Sequence, residues 1–153
     1  MERVSWDGLW MTVATAVSMR SLCVKRQVGA VVTDASHRVL GTGYNGPPAG
    51  LKINEPCDFW CPQGAGQADA CLSLHAEINA LLYTDRRLRE GGTIYVSTAP
   101  CLKCSLAIAN SGIGRLVCPP PDEHHDDAEV RLSRNLFINA DVLVDIWNNK
   151  GGL

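Results

Sequence analysis

The sequence predicts an α/β fold, a five-stranded mixed sheet covered by helices on both faces, and three observations predict it. Apolar residues at helical spacing alternate with short β-branched and aromatic runs, in the order α-β-β-α-β-α-β-α-β. The first two strands are joined by a short polar turn and read as a hairpin, after which helices and strands alternate. At 153 residues the chain fits one domain, 1–153, with a sizeable core. It carries no internal repeat, linker or low-complexity tail.

Each element has its own signal. Leu9, Val13, Ala16 and Val17 set a helix over Asp7–Ser21, with Ser5 or Asp7 as its cap and Trp6 and Trp10 packed into the core or against another subunit. Gln27–Thr33 and Arg38–Gly43 are strands, and His37 in their turn is expected to be solvated. Tyr44–Leu74 lacks periodicity, but its cysteines and Trp60 mark it as functional rather than disordered. Leu74, Ile78, Leu81 and Leu82 predict a helix over Ser73–Asp85, with Ser73 as candidate cap and Gly91-Gly92 closing its polar exit. Thr93–Ser97 is the central strand. Pro100 opens the next helix, Cys101–Ser111, which Gly112 ends. Arg115–Cys118 is a strand, Ala128–Asn139 a helix and Asp141–Trp147 the last strand.

Composition removes several functions. The net charge is −2, so no positive field gathers a polynucleotide, and the basic and aromatic interleaving of strand binders is absent. A small anionic substrate needs only one local basic contact. No apolar run approaches the roughly 18–20 residues that cross a bilayer, so no membrane partner is expected. The seven cysteines are an odd number, and the opening MERVSWDG lacks a signal-peptide pattern. Thiolates used for metal in a reducing cytoplasm are therefore expected over a disulfide framework.

The chemistry concentrates in Leu72–Cys104. His75, Cys101 and Cys104 are one imidazole and two thiols, a donor set that suits zinc, and three protein ligands leave a fourth position open. Both ligand groups fall at helix starts, where unpaired N–H groups and the dipole stabilise thiolates. Glu77 stands beside His75, where its carboxylate can move protons to and from a reacting group. A redox CxxC and a closed structural zinc are the competing readings. Glu77 argues against the second, since a structural site has no use for it.

The pattern His75-Ala-Glu77 followed by Pro100-Cys101-x-x-Cys104 resembles the zinc-dependent cytidine and deoxycytidylate deaminase superfamily. Further stretches resemble its dCMP deaminases, including those of phages: VGAVV (Val28–Val32), GYNGPPAG (Gly43–Gly50), HAEINAL (His75–Leu81), YVSTAPCLKC (Tyr95–Cys104) and SGIGRLV (Ser111–Val117). The resemblance implies a cytidine-deaminase-like three-layer α-β-α sandwich. It also implies hydrolytic deamination of dCMP to dUMP and ammonia, a zinc-bound hydroxide attacking C4 with Glu77 as proton shuttle. His75, Cys101 and Cys104 would be the metal ligands. Asn45 would bond the sugar, the backbone around Ala76 the polar edge of the base, and Ser97, Thr98 and Ala99 would line the pocket. The alternative is a deaminase of another free base, nucleoside or modified cytidylate; a non-enzymatic zinc scaffold is the reading from another class.

Further expectations attach to this resemblance. Cys23, Cys57, Cys61 and Cys71 are candidates for a second, structural zinc that would pin the 44–74 segment, and Cys118 is left to the core. Arg26 and Arg115 are the basic residues favoured for the phosphate, over Lys25 and Lys103. After Cys118 the chain reads PPPDEHHDD, with no tyrosine to pack over a pyrimidine. His125 or Trp60 would have to replace it, although His124 and His125 are otherwise expected to be solvated. Relatives of this type are regulated homo-oligomers, hexamers among them, which implies dCTP and dTTP as effectors, magnesium with the effector nucleotide, and the host cytoplasm if the chain is phage-encoded.

Overall fold

The computed structural model describes residues 3–56 and 71–148. Its elements are α1 (Trp6–Ser18), β1 (Gly29–Thr33), β2 (Val39–Tyr44), a 3-10 turn (Ala49–Leu51), α2 (Ala76–Leu82), α3 (Arg86–Arg89), β3 (Thr93–Val96), α4 (Leu102–Ala109), β4 (Arg115–Cys118), α5 (Asp127–Asn139) and β5 (Leu143–Ile146). The strands form one sheet in the order β2-β1-β3-β4-β5. The hairpin and the β1–β3 pair are antiparallel, whereas β3–β4 and β4–β5 are parallel. The mixed sheet flanked by helices is the predicted one. One short helix, α3, forms where the sequence predicts only a polar exit; Asp85 accepts from Arg87 N and caps it.

The central strands are buried on both sides, and the period of two along them divides the core. Ala30, Val32, Ile94, Val96 and Leu116 face one layer with Ala76, Ala80, Ile108 and Phe137. Val31, Tyr95 and Val117 face the other, beneath Met11 and Ala14 of α1. Helices α2, α4 and α5 therefore cover one face and α1 the other. Ser5, not Asp7, caps α1, accepting from Gly8 N at 3.0 Å. His37 is not free in solvent: its ring stacks on Trp6, which stacks in turn on Trp10. Among the described residues no helix is long and apolar enough to cross a membrane.

Close packing sets the height of α2 above the sheet. A Cβ on Gly43 would fall 2.3 Å from both Ala76 O and Ala80 N, so only glycine lets the helix lie this near β2. Gly43→Ala should push α2 off the sheet and cost about 3 kcal/mol, measurable by urea denaturation. Its zinc affinity should fall too, because the displaced helix carries His75.

Candidate metal and active site

Two helix mouths build the site. His75 is the N-cap of α2 and Cys101 that of α4, both with extended backbone and neither using its side chain to cap. The expected cap Ser73 lies two residues upstream and bonds Leu74 O instead. His75 is held from behind, because Leu74 pairs with Gly46 through two backbone bonds of 2.8 and 3.1 Å. Asn79, one turn along α2, donates to Tyr44 O at 2.8 Å. The GYNG segment thus clamps the start of α2.

His75 Nδ1 lies 3.5 Å from Cys101 Sγ and 3.4 Å from Cys104 Sγ. These three ligand atoms lie within 4.8 Å of one another, forming the one such group among the described residues. A tetrahedral zinc with bonds of about 2.0–2.3 Å has edges of roughly 3.5 Å, so the donors fit that ion in both kind and spacing. The two thiols titrate as a pair. A hydrogen bond from Cys104 draws the Cys101 thiol down to about 3, while Cys101 and burial push the Cys104 thiol up. The bond to Cys101 raises His75. A divalent cation in this position would displace the shared protons and take both sulfurs as thiolates.

Glu77 is the second residue of α2 and is 3% exposed. Burial raises its carboxyl above the ordinary range, opposed by hydrogen bonds from its own backbone and Cys104 and by the charge of His75. A buried carboxyl beside a metal group, its hold on a proton strengthened by burial, is suited to accept a proton and pass it on.

The other expected residues are not all brought here. Thr98 and Ala99 lie just before Pro100 and Cys101, and Arg26 reaches them by donating to Thr98 Oγ1. Ser97 Oγ accepts from Gly29 N at 3.0 Å, extending the β1–β3 ladder. Asn45 turns its carboxamide onto the backbone, accepting from Val28 N at 2.7 Å and donating to Arg26 O at 2.9 Å, so it shapes the segment that carries Arg26. Ala76 is fully buried under β2.

Arg115 is not brought to the site. It begins β4 opposite Thr93, the first residue of β3, whereas the metal group follows the other end of β3. There Arg115 grips both oxygens of Asp7 at 2.8 Å and Asp145 at 2.7 Å, fastening α1 to β4 and β5. The Arg115 guanidinium holds the Asp7 carboxyl down. Burial, with Asp7 close by, pushes the Tyr95 hydroxyl up to about 12, and that hydroxyl donates to Asp7 at 3.0 Å.

Of the candidate second zinc ligands, Cys57 and Cys61 lie outside the described residues, as does Trp60. Cys23 is half-buried and Cys71 exposed, and neither joins a metal-binding group among the described residues. Sequence reasoning undervalues the loop after β4. His125 is only 11% exposed in its side chain, and its Nε2 donates to Ala99 O at 2.8 Å. Asp122, which no motif singles out, pairs with Arg26 at 2.5 Å. Their sole signal in the sequence is a DEHHDD loop shortly after a strand.

Comparison with known proteins agrees with this site. A family model described as the cytidine and deoxycytidylate deaminase zinc-binding region matches residues 4–119. The chain is 45% identical over 126 residues to the deoxycytidylate deaminase of Mycobacterium phage D29, covering 78% of this chain and 98% of that one. It is 42% identical over 118 residues to the deoxycytidylate deaminase of Saccharomyces cerevisiae, covering 75% of this chain but only 38% of the longer yeast protein. Among solved structures, the dCMP deaminase of cyanophage S-TIM5 in complex with dCMP and dUMP superposes with a TM-score of 0.72 at 25% identity, over 91% of this chain and 94% of that one. With its His/Cys/Cys group and adjacent buried carboxyl, the chain belongs to the cytidine and deoxycytidylate deaminase family and is a zinc-dependent hydrolytic deaminase.

Proposed function

We propose that the chain converts dCMP and water to dUMP and ammonia. The observation that carries the choice of a nucleotide over a nucleoside is Arg26, whose guanidinium lies on Thr98, three residues before Cys101. An arginine at that rim can take a phosphate with two parallel bonds. The relatives named above, as deoxycytidylate deaminases, support the same reading.

Zinc held by His75, Cys101 and Cys104 would supply a Lewis acid that makes hydroxide available near neutral pH. The chain's own part is to hold the ring and to move protons. Glu77 takes the proton of the attacking water and gives it to N3 as oxygen adds at C4. It then assists protonation of the exocyclic nitrogen, which leaves as ammonia. Burial keeps the Glu77 proton from leaking to solvent between these steps. Thr98 and Ala99 wall one side of the ring, and their position relative to the ligand Cys101 is set by the short turn through Pro100.

Effector control by dCTP and dTTP, in a homo-oligomer, belongs to the same reading. A cavity of about 240 Å³ between β2 and α2 supports it. Arg20, Lys52, Asn54, Tyr44 and Tyr83 line that cavity with Gly46 and Asn79, and the metal ligands do not, so an anion there would act through the segment that clamps the start of α2.

The test is ammonia release from dCMP, deoxycytidine, cytidine and dCTP in parallel. We expect dCMP to be preferred and Arg26→Gln to raise its KM by roughly 10- to 100-fold, the loss of one charge-assisted bidentate contact. Equal turnover of deoxycytidine and dCMP by the unaltered enzyme would sink the nucleotide reading and favour a nucleoside deaminase.

A further inference from the structure

The loop between β4 and α5 closes over the segment that leads into Cys101. His125 Nε2 donates to Ala99 O at 2.8 Å, which anchors the loop. Its Nδ1 lies 2.9 Å from Asp122 Oδ1, and that oxygen also accepts from His124 N at 3.1 Å. One Asp122 oxygen is thereby fixed by the turn. The other, Oδ2, faces Arg26 Nη2 at 2.5 Å, and the same nitrogen donates to Thr98 Oγ1. The carboxylate therefore occupies the guanidinium that the proposed function reserves for a phosphate.

An arriving nucleotide meets a pair that is weakly held and a carboxylate that cannot go far. The pair is open to solvent, with the Arg26 and Asp122 side chains 36% and 42% exposed, and exposed pairs of that kind contribute little. A phosphate offers Arg26 a more highly charged, bidentate partner and displaces the carboxylate. The displaced group stays close, because its turn is pinned through His125 to Ala99. Glu123, Asp126 and Asp127 follow in the same stretch. A ligand with one phosphoryl group satisfies Arg26, whereas a second group extends toward negative charge.

We propose that Asp122 is a specificity-determining residue, acting through Arg26, that admits a nucleoside monophosphate and repels a longer phosphate chain. This rests on reading Arg26 as the phosphate partner. The experiment measures KM for dCMP and for deoxycytidine, and Ki for dCDP as a competitor of dCMP, in the zinc-loaded enzyme and in Asp122→Asn, Asp122→Ser and Arg26→Gln. Asparagine keeps an oxygen for His124 N, so the turn survives while its charge is removed. The expected result is a Ki for dCDP lowered about 3- to 5-fold relative to the dCMP KM, the size of one exposed charge at short range. Arg26→Gln should bring the KM of dCMP toward that of deoxycytidine. A ratio of dCDP Ki to dCMP KM unchanged in both Asp122 variants, with the Arg26 effect present, would overturn the role of Asp122 alone. No loss of dCMP preference in Arg26→Gln would overturn the reading beneath it, and the proposal with it.

Discussion

Glu77→Gln is expected to abolish ammonia release, by at least ~10⁴-fold, while zinc stays bound. General acid–base catalysis by one positioned group contributes up to about 10⁴, and in the proposed mechanism one carboxyl serves successive proton transfers that an amide cannot perform. None of the three ligand atoms is altered, so metal content should match the unaltered protein. Turnover within tenfold of the original would remove Glu77 from the mechanism.

The same substitution has an opposite effect on stability. Burial raises the Glu77 carboxyl, so between its ordinary value of 4.5 and the raised one the folded chain binds more protons than the unfolded chain. Stability then falls as pH rises through that window. Glutamine has no such dependence. In chelator-stripped protein, Glu77→Gln should be more stable than the original at neutral pH, with the gap shrinking toward pH 4.5. Urea denaturation at two pH values reads it directly. A gap that grows on acidification would contradict burial as the cause.

Cys104→Ala should lose zinc and, with it, all activity. Cys104 is 1% exposed in the first turn of α4, and no further described His, Cys, Asp or Glu joins its group. Zinc binds the folded site and stabilises by mass action, about 4 kcal/mol at a thousandfold excess over Kd. The unaltered protein should therefore melt at a lower temperature after chelation, and Cys104→Ala should show a smaller shift, none where the His75 group is the one zinc site of the protein. Metal analysis accompanies the melts: one zinc per chain corresponds to the His75 group alone, two to a further site among the remaining cysteines. A Cys104→Ala protein that keeps one zinc at this site would refute the ligand set.

His75, Glu77, Cys101 and Cys104 are legible in the sequence because their spacing is itself the constraint. A helix start puts His75 and Glu77 on opposite sides of one mouth, and CxxC puts two sulfurs on one turn. The element order is legible for a similar reason, since the helical period and the β-branched runs are local. The helix ends are less so: α2 begins three residues after the expected start, because Leu74 is taken by the bridge to Gly46 and cannot also be helical. The motif marks Asn45 as a sugar contact, and the bonds of its carboxamide to the backbone of Val28 and Arg26 are a further link that no local pattern shows.

By itself the sequence determined the order of strands and helices along the chain and the metal-binding chemistry, which rest on local periodicity and on spacings of up to 29 residues. Tertiary structure alone decided the fate of the charges. Arg26 and Arg115 are the same residue type, one just before β1 and the other at the start of β4, and nothing local separates them. The parallel pairing of β3 with β4 sends Arg115 to the end of the sheet away from the metal, into the grip of Asp7 and Asp145. The β4–α5 loop folds back to put Asp122 on Arg26 and His125 on Ala99, contacts that span 96 and 26 residues. An ion pair depends on where two distant segments meet, and only the packed sheet sets that meeting.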